Sequence, residues 1–325
     1  MKKKFYLTLD TETATLPFAD SICKNSKAKQ TIAIAKPLVY DLGWVITDRQ
    51  GNIIKEENFL IQETFFVPNV FNTAYYKNKR PIYLDLLHKG EIQVATWNQA
   101  VEILLEDLRK CDLVTAYNAC FDFKKAIPFT EKYIYHLYSA DFNIWENDQK
   151  RKCLDLLENG ESNKNEDFLK PFFELRGERF PVADLWGVAC DRLINIDRYR
   201  NYCLDNSLLT VSAMYFKTSA ETSFQYLMKN HDFSEDHTAL SDAIIESQIL
   251  AKALKKGKVE PQIKAFPFRE LGTTITYVKQ KPKYIEVVRQ TLKLYLESNN
   301  GYEKANDGQA YWKRTVATLK NLDNY

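Results

Sequence analysis

Three runs of apolar and β-branched residues, Phe5 to Asp10, Leu38 to Thr47 and Ile53 to Ile61, come before the first strong helical period and commit the chain to a fold built on a sheet. Phe5, Leu7 and Leu9 alternate onto one face of the first run, and Asp48-Arg49-Gln50-Gly51 has the turn chemistry to join the other two as a hairpin. Thr96 with Gln99 forms a capping-box signature, and Val101, Leu104, Leu105 and Leu108 recur at helical spacing, so a helix is expected up to Cys111. Leu113 to Tyr117 reads as a short buried strand, and the pattern turns helical again from Ala119. Pro181 to Leu185 reads as a fifth strand, and His237 to Lys256 as a long final helix. The expected fold class is therefore α/β, with five strands flanked by helices.

The connections carry their own information. Ala14 to Lys36 is a polar stretch longer than most loops, and Asn159 to Asp167 is a dense polar run inside a charged region from Asp141 to Arg179. Both read as insertions, near 14–36 and 141–179, and long loops beside carboxylates often serve as lids. A boundary is expected near Gly257, after which Pro261, Pro267 and Pro282 break the chain ahead of two helical patterns, Tyr284 to Glu297 and Gln309 to Asn321. Domain organisation is thus expected as 1–256 followed by a small, mostly helical extension, 257–325. Residues 255–325 hold 14 Lys+Arg against 7 Asp+Glu, a net +7, which leaves −5 on the rest of a chain whose total is +2. An acidic body with a basic flank suits a metal enzyme acting on a polyanion, although basic segments are more often plain solvated surface.

Several classes are excluded at this stage. The longest charge-free stretch, Thr64 to Tyr76, falls well short of the roughly 20 apolar residues of a membrane span. Lys2, Lys3 and Lys4 are followed by an alternating strand that reaches Asp10, not by the apolar core of a secretory signal, and are expected to solvate the strand entrance. The six cysteines contain no C-x-x-C pair and are expected to be reduced. A soluble, cytoplasmic protein with no membrane partner is the expectation.

The functional reading rests on acids. Asp10 and Glu12 stand two apart where the first strand stops, so alternation puts both carboxylates on one side of a sheet edge with no cation nearby in sequence. About one such pair is expected by chance in a chain this acidic, and a solvated strand end would be the plain alternative; the setting gives the pair its weight. Like charges that close are costly unless a cation neutralises them. A second acid, Asp122, follows Asn118 where a buried strand breaks into a helix; Asn118 as a helix cap with Asp122 on the surface is the structural alternative. A third, Asp242, opens a helix whose apolar residues run nearly all round, which places a carboxylate in buried surroundings. His231 and His237 each precede an Asp by five residues. His231 sits in a polar loop, whereas His237 leads into the helix of Asp242 and is the candidate general base.

Leu9-Asp10-Thr11-Glu12-Thr13, Tyr117-Asn118-Ala119-Cys120-Phe121-Asp122 and His237-Thr238-Ala239-Leu240-Ser241-Asp242-Ala243 resemble, in order and setting, the three exonuclease motifs of the DnaQ-like DEDDh 3′–5′ exonucleases. The resemblance spans about residues 4 to 254. It implies a ribonuclease H-like mixed five-stranded sheet and hydrolysis of phosphodiester bonds at 3′ ends. By motif, Asp10, Glu12, Asp122 and Asp242 would hold two divalent ions, His237 would deprotonate the attacking water, and Thr13, Leu16 and Asn118 would contact the substrate, with Leu16 packing on the terminal base. Thr15 stands where the family usually has glycine, and Tyr117 where it often has histidine.

Phosphodiester hydrolysis needs a nucleophile made from water at neutral pH and neutralisation of charge growing on phosphorus-bound oxygens, which two metal ions supply. Oxygen-rich ligands favour Mg2+ or Mn2+ over zinc. The expected partners are single-stranded nucleic acid 3′ ends, DNA first, and through the family a DNA polymerase or other replication or repair protein. A 3′–5′ exoribonuclease is the alternative enzyme, since no residue reports on the 2′-hydroxyl. A non-catalytic nucleic-acid-binding or polymerase-partner protein is the alternative class. Phe266, Phe268, Tyr284, Tyr295, Tyr311 and Trp312 interleave with lysines and arginines in the C-terminal region, as a strand-binding surface would, or as two amphipathic helices with aromatic cores would.

Overall fold

The computed structural model describes residues 4–160, 169–194, 196–210, 213–298 and 309–323. Lys2, Lys3 and most of the polar run Asn159 to Asp167 lie outside them. The chain divides into two compact units, one made of residues 1–185 and 234–264, the other of 186–233 and 265–325.

The first unit is α/β, with a mixed sheet of seven strands in the order β4-β3-β2-β1-β5-β7-β6. Five of these correspond to the expected runs: β1 (Phe5–Ala14), β2 (Leu38–Asp48), β3 (Ile53–Ile61), β5 (Leu113–Ala116) and β7 (Glu178–Asp184). β1, β2 and β3 form an antiparallel meander, and β5 and β7 continue the sheet parallel to β1. The expectation of five strands is corrected by two short edge strands. These are β4 (Gln93–Ala95), parallel to β3, and β6 (Phe172–Leu175), antiparallel to β7. Strands of three and four residues are too short to show a period of two against their surroundings.

The insertions are more ordered than their polarity suggests. Between β1 and β2 lie the helices Ala19–Ile22 and Ser26–Ala35, the second capped by the Asn25 side chain, which accepts from the Ala28 N–H at 2.8 Å. The region from Asp141 contains the Phe142–Asn159 helix and β6. The Thr96–Gln99 capping box forms as expected at the head of the Trp97–Leu108 helix.

β1 runs four residues past Asp10, and a bulge interrupts its pairing with β2 directly after Glu12. In this register Asp10 faces Gly43 and Glu12 faces Asp41. Directly paired residues of antiparallel strands project to the same side, so all four positions share one face of the sheet. The Ala239–Lys256 helix packs on β1 and β2, and its buried residues include Ala239, Ala243, Ile249, Leu250 and Ala253.

Gly43 sets how close that helix comes. A Cβ at this position would lie 2.3 Å from the Leu240 nitrogen and 2.6 Å from the Ala239 carbonyl carbon, far inside van der Waals contact with backbone that cannot swing away. Beside it, the Asp41 carboxylate accepts the Ala239 N–H at 2.9 Å and the Tyr83 hydroxyl at 3.0 Å. A buried carboxyl group thus takes up an orphan donor at the first turn of the helix.

The second unit is mostly helical. Its helices include Ile196–Asp205, Ala220–Met228, Thr274–Gln280, Ile285–Ser298 and Gln309–Asp323. Tyr199, Cys203 and Phe216 share one core with Leu271, Tyr277, Val288, Leu292 and Leu322. The expected extension 257–325 is therefore not a unit by itself, because residues 186–233 supply half of its core. Of the aromatic and basic residues that suggested a strand-binding surface, Tyr284 is buried in this core, Phe268 stacks on Trp186 at 5.6 Å, and Phe266 is exposed with Arg269 over its ring. The side chains of Tyr311, Trp312 and Arg314 lie outside the described residues.

Gly43→Ala is expected to destabilise the protein by at least about 1–3 kcal/mol, the typical cost of overpacking, because the helix must lift off β2 to admit the methyl group. Chemical denaturation measures this, and wild-type stability would show that the approach is not tight.

Candidate functional site

The shared face of β1 and β2 and the first turn of the Ala239–Lys256 helix enclose a cluster of carboxylates. Glu12, His237 and Asp242 offer ligand atoms that all lie within 4.8 Å of one another. The His237 Nδ1 is 3.8 Å from Asp242 Oδ2 and 3.6 Å from Glu235 Oε2, near enough to attract a protonated imidazole and too long for good hydrogen bonds. Asp122 joins from the turn after β5. Its Oδ1 accepts the Thr11 hydroxyl at 2.6 Å, which ties this turn to β1 between Asp10 and Glu12. Three segments separated by more than a hundred residues thus meet at one place, and the five residues expected to carry the chemistry are brought together.

Burial, and after it the neighbouring charges, disfavours the ionised form of these carboxylates. Burial, reinforced by Asp122, Glu246, Asp242 and Glu12, raises Asp10 well above the ordinary carboxylate range. Burial and the neighbouring Asp242 do the same to Glu12, with Lys79 opposing them. Burial pushes Asp122 up to about 7 although the Thr11 hydroxyl favours its ionised form. The Asp242 carboxylate raises His237 against the effect of desolvation. Repulsion and desolvation act together on these acids, and a divalent cation among them would relieve both. The donors are carboxylate oxygens and one imidazole, a set that fits a hard divalent ion.

Three acids at or beside the cluster carry no site role in the sequence reading. Glu246, one helical turn after Asp242, is 2% exposed, accepts the Tyr117 N–H at 2.9 Å, and is raised well above its ordinary value by burial and then by Asp122 and Asp242. Asp41, fully buried, is pushed up to about 7 by burial. Asp184, at the end of β7, accepts the N–H groups of Asn118 at 3.0 Å and Ala119 at 3.4 Å. The cap of the turn before Asp122 is therefore Asp184, not the Asn118 side chain, which makes no capping hydrogen bond. The i+4 spacing from Asp242 was the available signal for Glu246. Asp41 sits in a strand buried along its whole length and gives none.

The residues expected to touch substrate fare differently. Asn118 is exposed at a φ of 66°, a left-handed conformation that asparagine tolerates better than most residues. Thr13 is partly accessible on the far side of the bulge. Leu16 is corrected: its side chain is fully buried in the main hydrophobic core and presents no surface for a base. The segment is held down through its neighbour, since the Thr15 N–H donates to Thr73 at 2.8 Å and the Thr15 hydroxyl to the Lys36 carbonyl at 3.0 Å. His231, the other candidate histidine, lies in the second unit, its Nδ1 3.4 Å from the Tyr202 hydroxyl.

Among the described residues no helix is long and apolar enough to cross a membrane. Compared with protein-family models, curated proteins and solved structures, the chain matches none.

The raised carboxylates set a pH dependence. Asp41 and Asp122 titrate near 4 in an unfolded chain and at about 7 when folded, so the folded state binds more protons in between. Their stabilising contribution is complete at low pH and is lost as pH rises through about 7; the raised His237 acts in the same direction. The metal-free protein should lose more thermal stability between about pH 5.5 and 8 than its Asp122→Asn variant, whose amide still accepts from Thr11 but does not titrate. Equal slopes for the two proteins would contradict the electrostatic picture.

Proposed function

We propose that this chain is a metal-dependent 3′–5′ exonuclease acting on single-stranded nucleic acid, DNA in the first place, of the DnaQ-like DEDDh kind with a ribonuclease H-like fold. The observation that carries the reading is the convergence of Asp10, Glu12, Asp122, Asp242 and His237 on one buried acidic face. A mixed sheet in which an antiparallel meander continues into strands parallel to β1 accords with it.

In this reading Asp10, Glu12, Asp122 and Asp242 hold two divalent ions, Mg2+ or Mn2+. When bound, the ions neutralise charge growing on the phosphate oxygens and let water act as a nucleophile at neutral pH. The chain's own work is placement. Gly43 and Asp41 fix the head of the Ala239–Lys256 helix, and with it Asp242, over β1. Thr11 holds Asp122. His237 takes a proton from the attacking water as the new phosphorus–oxygen bond forms. The bond to the 3′ oxygen breaks, that oxygen is protonated by solvent, and a nucleoside 5′-monophosphate leaves a strand one residue shorter. Leu16 has no part in end recognition here, which rests instead on partly open positions such as Thr13 and Asn118.

End-labelled linear and circular single strands, duplex DNA and RNA, each incubated with the protein and Mg2+, test the proposal. Linear strands should release mononucleotides from the 3′ end, circles should resist, and chelation should stop the reaction. Asp10→Ala or Asp242→Ala should abolish cleavage, and His237→Ala should slow it on the order of 100-fold with metal binding retained. Rapid cutting of circles, or cleavage at the wild-type rate in chelator, would overturn the reading; preference for RNA would reassign the substrate.

A further inference from the structure

His237 has an unusual setting. Its backbone adopts a φ of +51°, in the left-handed region that a side-chain-bearing residue occupies at a cost, and such a conformation persists only where the surroundings over-determine it. The carboxylates beside its ring are too distant to fix its plane by hydrogen bonds, at 3.6 Å and 3.8 Å from Nδ1. A different contact fixes it. The Tyr76 ring lies flat against the imidazole, with centroids 4.6 Å apart and planes 13° from parallel.

Tyr76 is itself held from several sides. Tyr75 meets its ring edge-on at 4.9 Å, and the Lys79 ammonium lies 5.0 Å from its centroid. The same ammonium donates to the carbonyl of Asp236, the residue before His237. Thr73 anchors the segment to the end of β1, since its hydroxyl accepts the Thr15 N–H and donates to the Val70 carbonyl at 2.6 Å. The Tyr83 hydroxyl, bonded to Asp41, lies 3.5 Å from the His237 carbonyl oxygen. Segment 73–83 therefore holds His237 by its ring and by the preceding carbonyl, and it is tied to the end of the strand that carries Glu12.

We propose that Tyr76 is a positioning residue that sets the plane of the His237 imidazole by stacking, with Lys79 holding the two segments together. The inference rests on the proposed role of His237 as the proton acceptor. A stacked ring can slide and tilt little, so its nitrogen stays aimed at one point, and an aliphatic replacement would leave the ring free to rotate about its side-chain bonds.

Two readouts separate this inference from the proposed function. In the NMR spectrum of the metal-free protein, the His237 ring protons, assigned by their disappearance in His237→Gln, should be displaced upfield by the Tyr76 ring current in wild type and Tyr76→Phe. In Tyr76→Leu they should return toward the position of an unstacked histidine. In kinetics on linear single strands, Tyr76→Leu should lower kcat about 5- to 10-fold with KM nearly unchanged, as loss of an aromatic contact predicts, and Tyr76→Phe should restore it. An unshifted His237 in the wild-type spectrum would overturn the inference whether or not Tyr76→Leu folds. So would wild-type kcat in a folded Tyr76→Leu protein. A shifted His237 in a protein without nuclease activity would keep the stacking and sink the exonuclease reading instead.

Discussion

The contact between the head of the Ala239–Lys256 helix and β2 is the constraint on which the candidate site depends. Backbone meets backbone there, and only a residue without a side chain permits it, which is why Gly43 stands opposite Asp10. Once the helix is seated that low, Asp242 and Glu246 necessarily arrive over the face that already carries Asp10, Glu12 and Asp41. The Ala239 N–H finds its acceptor in Asp41, so a carboxyl group that helps crowd the cluster also secures the helix that completes it.

That arrangement works against the stability of the metal-free fold. Burial and mutual repulsion raise Asp10, Glu12, Asp122 and Glu246 together, so each ionised carboxylate is more costly here than in water. A chain selected only for stability would place apolar residues on this face, as it does with Leu7, Leu9, Leu42, Trp44 and Ile46 on the opposite face of β1 and β2. Strain of a second kind sits at His237, whose left-handed backbone carries a ring stacked on Tyr76. Carboxylates that repel and a backbone held off its preferred conformation mark the same few residues, which is the pattern expected of a site whose geometry is set by function.

Much of this was legible in the sequence, and the parts that were not have physical causes. Asp10, Glu12 and Asp242 could be read because a polar residue at the end of an apolar strand, or on a helix apolar nearly all round, has no other ready explanation. His237 could be told from His231 by what followed it. Asp41 was hidden because β2 is buried along its full length, so position along the strand carries no contrast, and Glu246 because one acid on a long helix ordinarily faces water. Leu16 was misjudged since adjacency to the acids in sequence does not fix where a side chain points; its neighbours pin the segment so that it faces the core. The edge strands β4 and β6 escaped because three or four residues cannot display a period. The second unit escaped because its core joins segments that lie on either side of residues 234–264, a pairing no local pattern records.

The most direct test of the central claim, that this carboxylate face exists to hold divalent cations, is to count them. Equilibrium titration with Mn2+, followed by the paramagnetic resonance of the free ion, should show two saturable sites in the wild-type protein and a loss of affinity in Glu12→Gln, which keeps the side chain's shape and removes its charge. Absence of saturable binding in a folded wild-type protein, or unchanged binding in Glu12→Gln, would contradict the account.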